Sequence, residues 1–160
     1  LQRALMEMDF FTILLLASLF VVIAGIQEAG VIDAIAELFV KMGGNSVFIM
    51  YSLLLWASVL LSAFIDNIPY VATMLPVVTG IAAAMNVDPT VLYFGLLSGA
   101  TLGGNLTPIG ASANIMGIGI LRRQGYEVKN SEFMRISIPY TVAAITTAYL
   151  VLWLIWGIRA

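Results

Sequence analysis

The sequence predicts an all-α, polytopic membrane protein forming one transmembrane repeat unit across residues 1–160, and three observations carry that reading. Of the residues, 61% are hydrophobic and 10% charged, where a soluble domain holds about 45–50% apolar and about 25% charged residues. The charges are bunched, which leaves uncharged runs long enough to cross a bilayer. Two of the apolar stretches are interrupted near their centres, one by a lone acid and one by glycines and a proline. A water-soluble globule is excluded. Seven Lys plus Arg against nine Asp plus Glu give a net charge of -2, so no basic surface supports a nucleic-acid partner. The absence of Cys and His removes disulfides, thiolate or imidazole metal sites, and any mechanism needing an imidazole base or a thiol nucleophile. No cofactor is expected beyond a coupling ion. Leu1 opens inside an amphipathic stretch without a signal-peptide layout, and the chain is expected to be a piece of a longer protein.

Each charge costs about 2.5–3.5 kcal/mol at the centre of a membrane helix, so the gaps between charges locate the spans. Phe10 to Gln27 is an uncharged run of 18 residues, about 27 Å as helix, and the first span is placed at residues 10–29. Val31 to Met42 sets Asp33, Glu37 and Lys41 four apart on one stripe and apolar side chains on the rest. An interfacial helix is predicted there, over residues 31–42. Residues 43–87 are apolar except for Asp66, in Ser62-Ala63-Phe64-Ile65-Asp66-Asn67-Ile68-Pro69. Two helical arms of a hairpin meet at that point. Pro69 suits the first turn of a helix, so the second arm is expected from Ile68 or Pro69, with Asn67 or Asp66 capping its free amides.

Pro89 to Leu121 carries no charge over 33 residues, about 50 Å as a straight helix against a core of about 30 Å. It must break. Gly103-Gly104-Asn105-Leu106-Thr107-Pro108-Ile109-Gly110 puts three glycines and a proline at the middle of the run, and residues 89–121 are read as a discontinuous helix. Irregular backbone at membrane depth persists only where it lines a cavity or is buried in protein. A loop with Arg122, Arg123, Lys129 and Arg135 follows, then a final span at residues 136–158 with Trp153 and Trp156 near its end. Arg3 and the four basic loop residues share one face, against Lys41 and Arg159 on the other. That asymmetry places the first face in the cytoplasm, the C-terminus outside, and the hairpin opening outward. The number of crossings is odd, so a tandem copy of the unit would sit inverted.

Asp66 is the one ionisable residue inside an apolar segment. An acid held there takes up a proton or is neutralised by a cation, unless the turn reaches water and Asp66 is an ordinary loop residue. The hairpin and the broken helix each supply a carbonyl end and an amide end. Carbonyl ends suit Na⁺ or H₃O⁺, and amide ends near Ala111 to Ala113 suit an anion. The candidate substrate or ion site comprises Asp66, Asn67, Gly103, Gly104, Asn105, Thr107, Gly110, Ser112 and Asn114, with Na⁺ expected at Asp66, Asn67, Asn105 and Thr107. For Ser112 and Asn114, interhelical hydrogen bonding is an equal alternative. Gly95, Gly99 and Gly103 recur every four residues and are read as a packing stripe, and Met74, Met85 and Met116 as packing or lipid-facing residues. Catalysis fails on parts: Gly110-Ala111-Ser112-Ala113 lacks the second glycine of a nucleophile elbow and any His partner. An aspartyl protease needs two acids where only Asp66 is present.

The stretches Ser62 to Met74 and Gly103 to Asn114 resemble the two signature motifs in the C-terminal half of the ion transporter superfamily. That group includes arsenite permeases, NhaD-type sodium/proton antiporters, the melanosomal P protein and, more distantly, dicarboxylate and citrate carriers. Asp9-Phe10-Phe11-Thr12-Ile13-Leu14 and Gly25-Ile26-Gln27-Glu28-Ala29-Gly30 fit the same pattern, so the resemblance covers nearly the whole chain. It implies a re-entrant hairpin with its tip at Asp66 and Asn67, an unwound helix at 103–110, a second inverted half, a homodimer, and elevator-like alternating access. The dicarboxylate carriers have Ser-Asn-Thr at the tip where this chain has Ile65-Asp66-Asn67, a departure that weakens a dicarboxylate assignment. The expected function is half of a secondary transporter in the cell (inner) membrane, moving an inorganic or small organic anion with Na⁺ or H⁺. A Na⁺/H⁺ antiporter is the alternative, and a structural or accessory membrane subunit the rival of another class.

Overall fold

The computed structural model describes residues 10–44 and 46–159. Asp9 of the opening motif and Arg3 of the charge count lie outside the described residues. Among the described residues the chain is all-helical. α1 is Phe10–Glu28, α2 Val31–Gly43, α3 Val47–Ser62, α4 Asn67–Met85, α5 Thr90–Gly103, α6 Ser112–Arg123 and α7 Asn130–Trp156, closed by a 3-10 turn at Gly157–Arg159. α4 and α7 are long and apolar enough to cross a membrane, and α3 and α5 are shorter apolar helices.

Gly30 turns the chain between α1 and α2 with a left-handed φ of 72°, a conformation that costs glycine little. Residues 17–28 and α2 meet at 68°. Ile32, Ala36 and Gly43 form the buried face of α2, which packs on α4 and α3, while Asp33, Glu37 and Lys41 stay exposed. α3 starts at Ser46, whose side chain accepts the Ile49 amide at 3.4 Å. α4 starts one residue earlier than Pro69 chemistry alone suggests, at Asn67, because Asp66 accepts the Ile68 amide at 3.4 Å. It ends at Asn86 in the left-handed region, whose amide returns to the carbonyls of Ala82 and Ala83.

The hairpin arms do not make the tightest pair in the fold; α3 packs most closely on α5. The glycine stripe explains this. An added Cβ at Gly95 would lie 2.9 Å from the Tyr51 ring, one at Gly99 would collide with the Leu55 carbonyl, and one at Gly103 would lie 2.6 Å from Val59 Cα. Three successive turns of α5 thus lie directly on the α3 backbone, as small-residue stripes allow. The core around this contact holds Tyr51, Leu54, Leu55, Leu92, Leu96 and Ala100, all fully buried.

α7 closes the other side of α5 through Ser137, Thr141 and Ile145. Tyr51 stacks on Tyr149 at 5.3 Å and on Trp153 at 5.6 Å, and its hydroxyl donates to the Tyr149 carbonyl at 3.0 Å. The last helix begins at Asn130 rather than at the apolar edge near Ile136. The Lys129 amide donates to Glu132 at 3.4 Å, and this cap carries the helix through the exposed Arg135 before the apolar span starts.

Gly103→Ala should lower the thermal unfolding midpoint of the solubilised full-length protein, because backbone at Val59 cannot yield to the new methyl. A cost of about 1–3 kcal/mol is expected for such overpacking. Gly117, in helix with nothing within 4 Å of a built Cβ, is the control: Gly117→Ala should be neutral or stabilising by up to about 1 kcal/mol.

Candidate functional site at the interlock of two helix breaks

The turn from 63 to 66 and the break from 104 to 111 meet and exchange hydrogen bonds. α3 ends when Ala63 and Phe64 close the last turn, and α5 ends at Gly104 and Asn105, whose amides return to Ala100 and Leu102. Two carbonyl-rich ends are then tied to each other. Ser62 Oγ donates to the Ala100 carbonyl at 2.6 Å, and Thr107 Oγ1 donates to the Ala63 carbonyl. Gly110 seals the contact. A Cβ there would lie 2.5 Å from the Gly104 oxygen, 2.8 Å from that of Ala63 and 3.0 Å from that of Ser62, so three carbonyls converge beside one glycine.

The amide ends meet in a different way. Asp66 Oδ1 accepts the Ile68 amide at the start of α4, while Oδ2 accepts the Ser112 amide at 3.2 Å and the Ser112 hydroxyl at the start of α6. One carboxylate therefore caps two helices from different halves of the unit. A negative group at a helix N-terminus is stabilised by about 0.3–1 kcal/mol, more when partly buried, and here two positive ends act on it. The charge at Asp66 is half-buried and met by oriented dipoles; among the described residues its hydrogen-bonding partners are the N-termini of α4 and α6.

Of the residues proposed from the sequence, Asp66 and Ser112 touch directly, and Gly103, Gly104, Thr107 and Gly110 are buried in the interlock. Asn114 Nδ2 donates to the carbonyls of Gly104 and Thr107, both at 3.0 Å, and so holds the break closed. The Asn114 amide and the Thr107 hydroxyl thus serve backbone inside the chain. The Ser112 amide, expected to face an anion, faces Asp66, because an acid of the same chain already sits where the helix dipole draws negative charge. Asn67 and Asn105 are half-buried. Asn67 borders an open groove of 360 Å³ that also takes in Ile68, Val71, Leu97 and Thr101. Two residues were missed by sequence reasoning. Ser62 closes α3 on α5, and Ser137 Oγ reaches from α7 to the Leu106 carbonyl at 3.1 Å. Ser62 had a signal: with Ser58 it continues a small-residue face four apart, matching Gly99 and Gly103 on α5.

The citrate transporter family model matches residues 1–159. The chain belongs to the citrate transporter family. It is 36% identical over 152 residues to an uncharacterized transporter of Mycobacterium tuberculosis (strain CDC 1551 / Oshkosh), covering 94% of this chain and 36% of that protein. An uncharacterized transporter of Mycobacterium bovis is 38% identical over 152 residues, with 94% of this chain and 35% of the relative covered. The human P protein is 36% identical over 151 residues, covering 88% of this chain and 18% of the relative. The chain spans about a third of the length of the mycobacterial relatives. No solved structure matches it. The family and these two mycobacterial relatives are named as transporters, not enzymes, and the chain is an integral membrane protein of that family.

Asn114→Leu should leave the Gly104 carbonyl unpaired and the Thr107 carbonyl with only the Gly110 amide at 3.4 Å, a loss of about 1–3 kcal/mol for the unpaired group where it stays dry. The expected readout is a lowered unfolding midpoint together with faster amide exchange through residues 104–110. Unchanged exchange there would mean that Asn114 does not hold the break.

Proposed function

We propose that the chain is the C-terminal half of a secondary active transporter that moves an inorganic or small organic anion, coupled to Na⁺ or H⁺, by alternating access. The observation that carries this reading is the single carboxylate of Asp66 capping both α4 and α6. While charged, Asp66 occupies the two amide ends. Once a proton or a cation neutralises it, its oxygens become poorer acceptors for those amides, which then suit an arriving anion. Cation and anion then bind best together, which is the requirement for symport. The carbonyls of Ser62, Ala63 and Gly104 beside Gly110 support a cation on the opposite, carbonyl-rich side of the interlock.

The amide ends and the family description, which names citrate, support an anionic substrate. A Na⁺/H⁺ antiporter is the second reading. It is favoured by the fact that the Ser112 and Ile68 amides are already paired with Asp66, leaving the acid itself as the exchange site. In either case a second, inverted half completes the transport path, the homodimer is the working assembly, and the C-terminus lies outside the cell membrane.

Asp66→Asn in the full-length protein should preserve folding, since the amide keeps the size and one accepting oxygen, while abolishing the Na⁺ or pH dependence of uptake. Reconstitution in liposomes with imposed Na⁺ and pH gradients measures this. Ion dependence equal to that of the native protein would remove Asp66 from coupling.

The hairpin is read as re-entrant from the outside. The chain itself contains no cysteine, so Ile68→Cys at the 60% exposed tip position, in a full-length protein with any cysteine outside this chain replaced, gives the label site. It should resist a membrane-impermeant thiol reagent applied from the cytoplasm in at least one transport state. Labelling from the cytoplasm in every state would make α3 and α4 two complete crossings.

A further inference from the structure

The loop between α6 and α7 carries charges that the site at Asp66 does not use. Gly125, at a left-handed φ of 88°, ends α6 and turns the chain back, with its amide on the Arg122 carbonyl at 3.1 Å. Arg122, Gly125, Tyr126, Glu127, Val128 and Lys129 then line an open cleft of 480 Å³. Arg122 Nη2 donates to the Val128 carbonyl at 3.4 Å, which holds the guanidinium across the loop. Among the described residues this is the one hydrogen bond made by the side chains of Arg122, Glu127 and Lys129, and none of the three is ion-paired. Two cations and one anion thus share a small cleft without neutralising one another.

The depth of this cleft follows from helix length. Arg122 is ten residues beyond Ser112 in α6, or about 15 Å of helix. With the break at mid-membrane, that distance equals half of a hydrocarbon core of about 30 Å. Arg122 therefore emerges at the headgroup layer, and Tyr126, 62% exposed, is the type of side chain that settles there.

We infer that this cleft binds the headgroup of phosphatidylethanolamine, with the phosphate between Arg122 and Lys129 and the primary ammonium on Glu127. A guanidinium and an ammonium suit a phosphodiester. Glu127 distinguishes this lipid from its competitors: it repels a purely anionic headgroup, and it accepts hydrogen bonds that ethanolamine donates and choline does not. The inference rests on the membrane placement of α6 and is independent of which ions the protein transports.

The test uses delipidated full-length protein in detergent, offered phosphatidylethanolamine, phosphatidylcholine and phosphatidylglycerol with identical acyl chains. Native mass spectrometry counts the retained lipid, with inorganic phosphate as competitor. The native protein should retain phosphatidylethanolamine about tenfold better than phosphatidylcholine, a difference of about 1.4 kcal/mol, and millimolar phosphate should not displace it. Glu127→Leu, which removes both the charge and the accepting oxygens, should equalise those two lipids and raise phosphatidylglycerol, and Arg122→Gln combined with Lys129→Gln should remove retention of all three. Equal retention of the two zwitterionic lipids by the native protein overturns the proposal without need of any variant. So does a native preference for phosphatidylglycerol, displacement by phosphate, or selectivity that survives in Glu127→Leu.

Discussion

The backbone of a chain in an apolar medium must satisfy its own polar groups, and this protein interrupts helices at two places where that is hardest. The structure answers by facing the two interruptions toward each other. Side-chain hydroxyls of Ser62 and Thr107 cross between the breaks to carbonyls of Ala100 and Ala63, and Asn114 bridges two carbonyls within one break. An unmatched amide or carbonyl in lipid costs several kcal/mol. Neither break is therefore stable at depth without the other, and the loops between helices act as one unit.

This mutual dependence sets the packing around it. The carbonyls of Ser62 and Ala63 can reach Gly110 only if α3 and α5 run in direct backbone contact up to their ends. The glycines at 95, 99 and 103 provide that approach, and the fully buried Ser58 and Ser62 face them from α3. Tyr70 Oη donates to Ser58 Oγ at 3.0 Å and brings α4 onto the same seam. α7 supplies the outer support, with Ser137 on Leu106 near the break and the Tyr51, Tyr149 and Trp153 stack about three to four turns away. Polar pairing at the breaks and close packing along the helices thus enforce each other.

The helix order and the two break positions were legible in the sequence because both rest on strong local rules. A 33-residue uncharged run exceeds the membrane, and Gly-Gly with Pro marks where it yields. The start of α6 beside Ala111 was legible for the same reason. The partner of each hydrogen-bonding group was not. Asn114 could be read as a ligand residue or a staple, and only the fold shows its amide on Gly104 and Thr107. The pairing of α3 with α5 in preference to its hairpin partner also escaped, since the glycine stripe announces close packing without naming the helix it meets. The early start of α7 was hidden because hydropathy reports the apolar span, whereas the cap between Lys129 and Glu132 sets where the helix begins.

The double cap at Asp66 bears on how ion and substrate can communicate in the proposed cycle. Neutralising the carboxylate weakens the bonds it accepts from the Ser112 and Ile68 amides together, because a neutral carboxyl is a poorer acceptor than a charged one. A bond to a charged acceptor contributes about 1.5–3 kcal/mol against about 1 kcal/mol for a neutral one. An anion that restores those bonds recovers that free energy, and a coupling of about 1–3 kcal/mol corresponds to a 5–150-fold change in affinity. In that proposed cycle no long-range pathway is needed, because ion and anion would act through one carboxylate. The same geometry explains why the acid sits in the turn and not within an arm. Only at the turn can a single side chain reach the first amides of both α4 and α6, so its charge state reports to the hairpin and the broken helix at once.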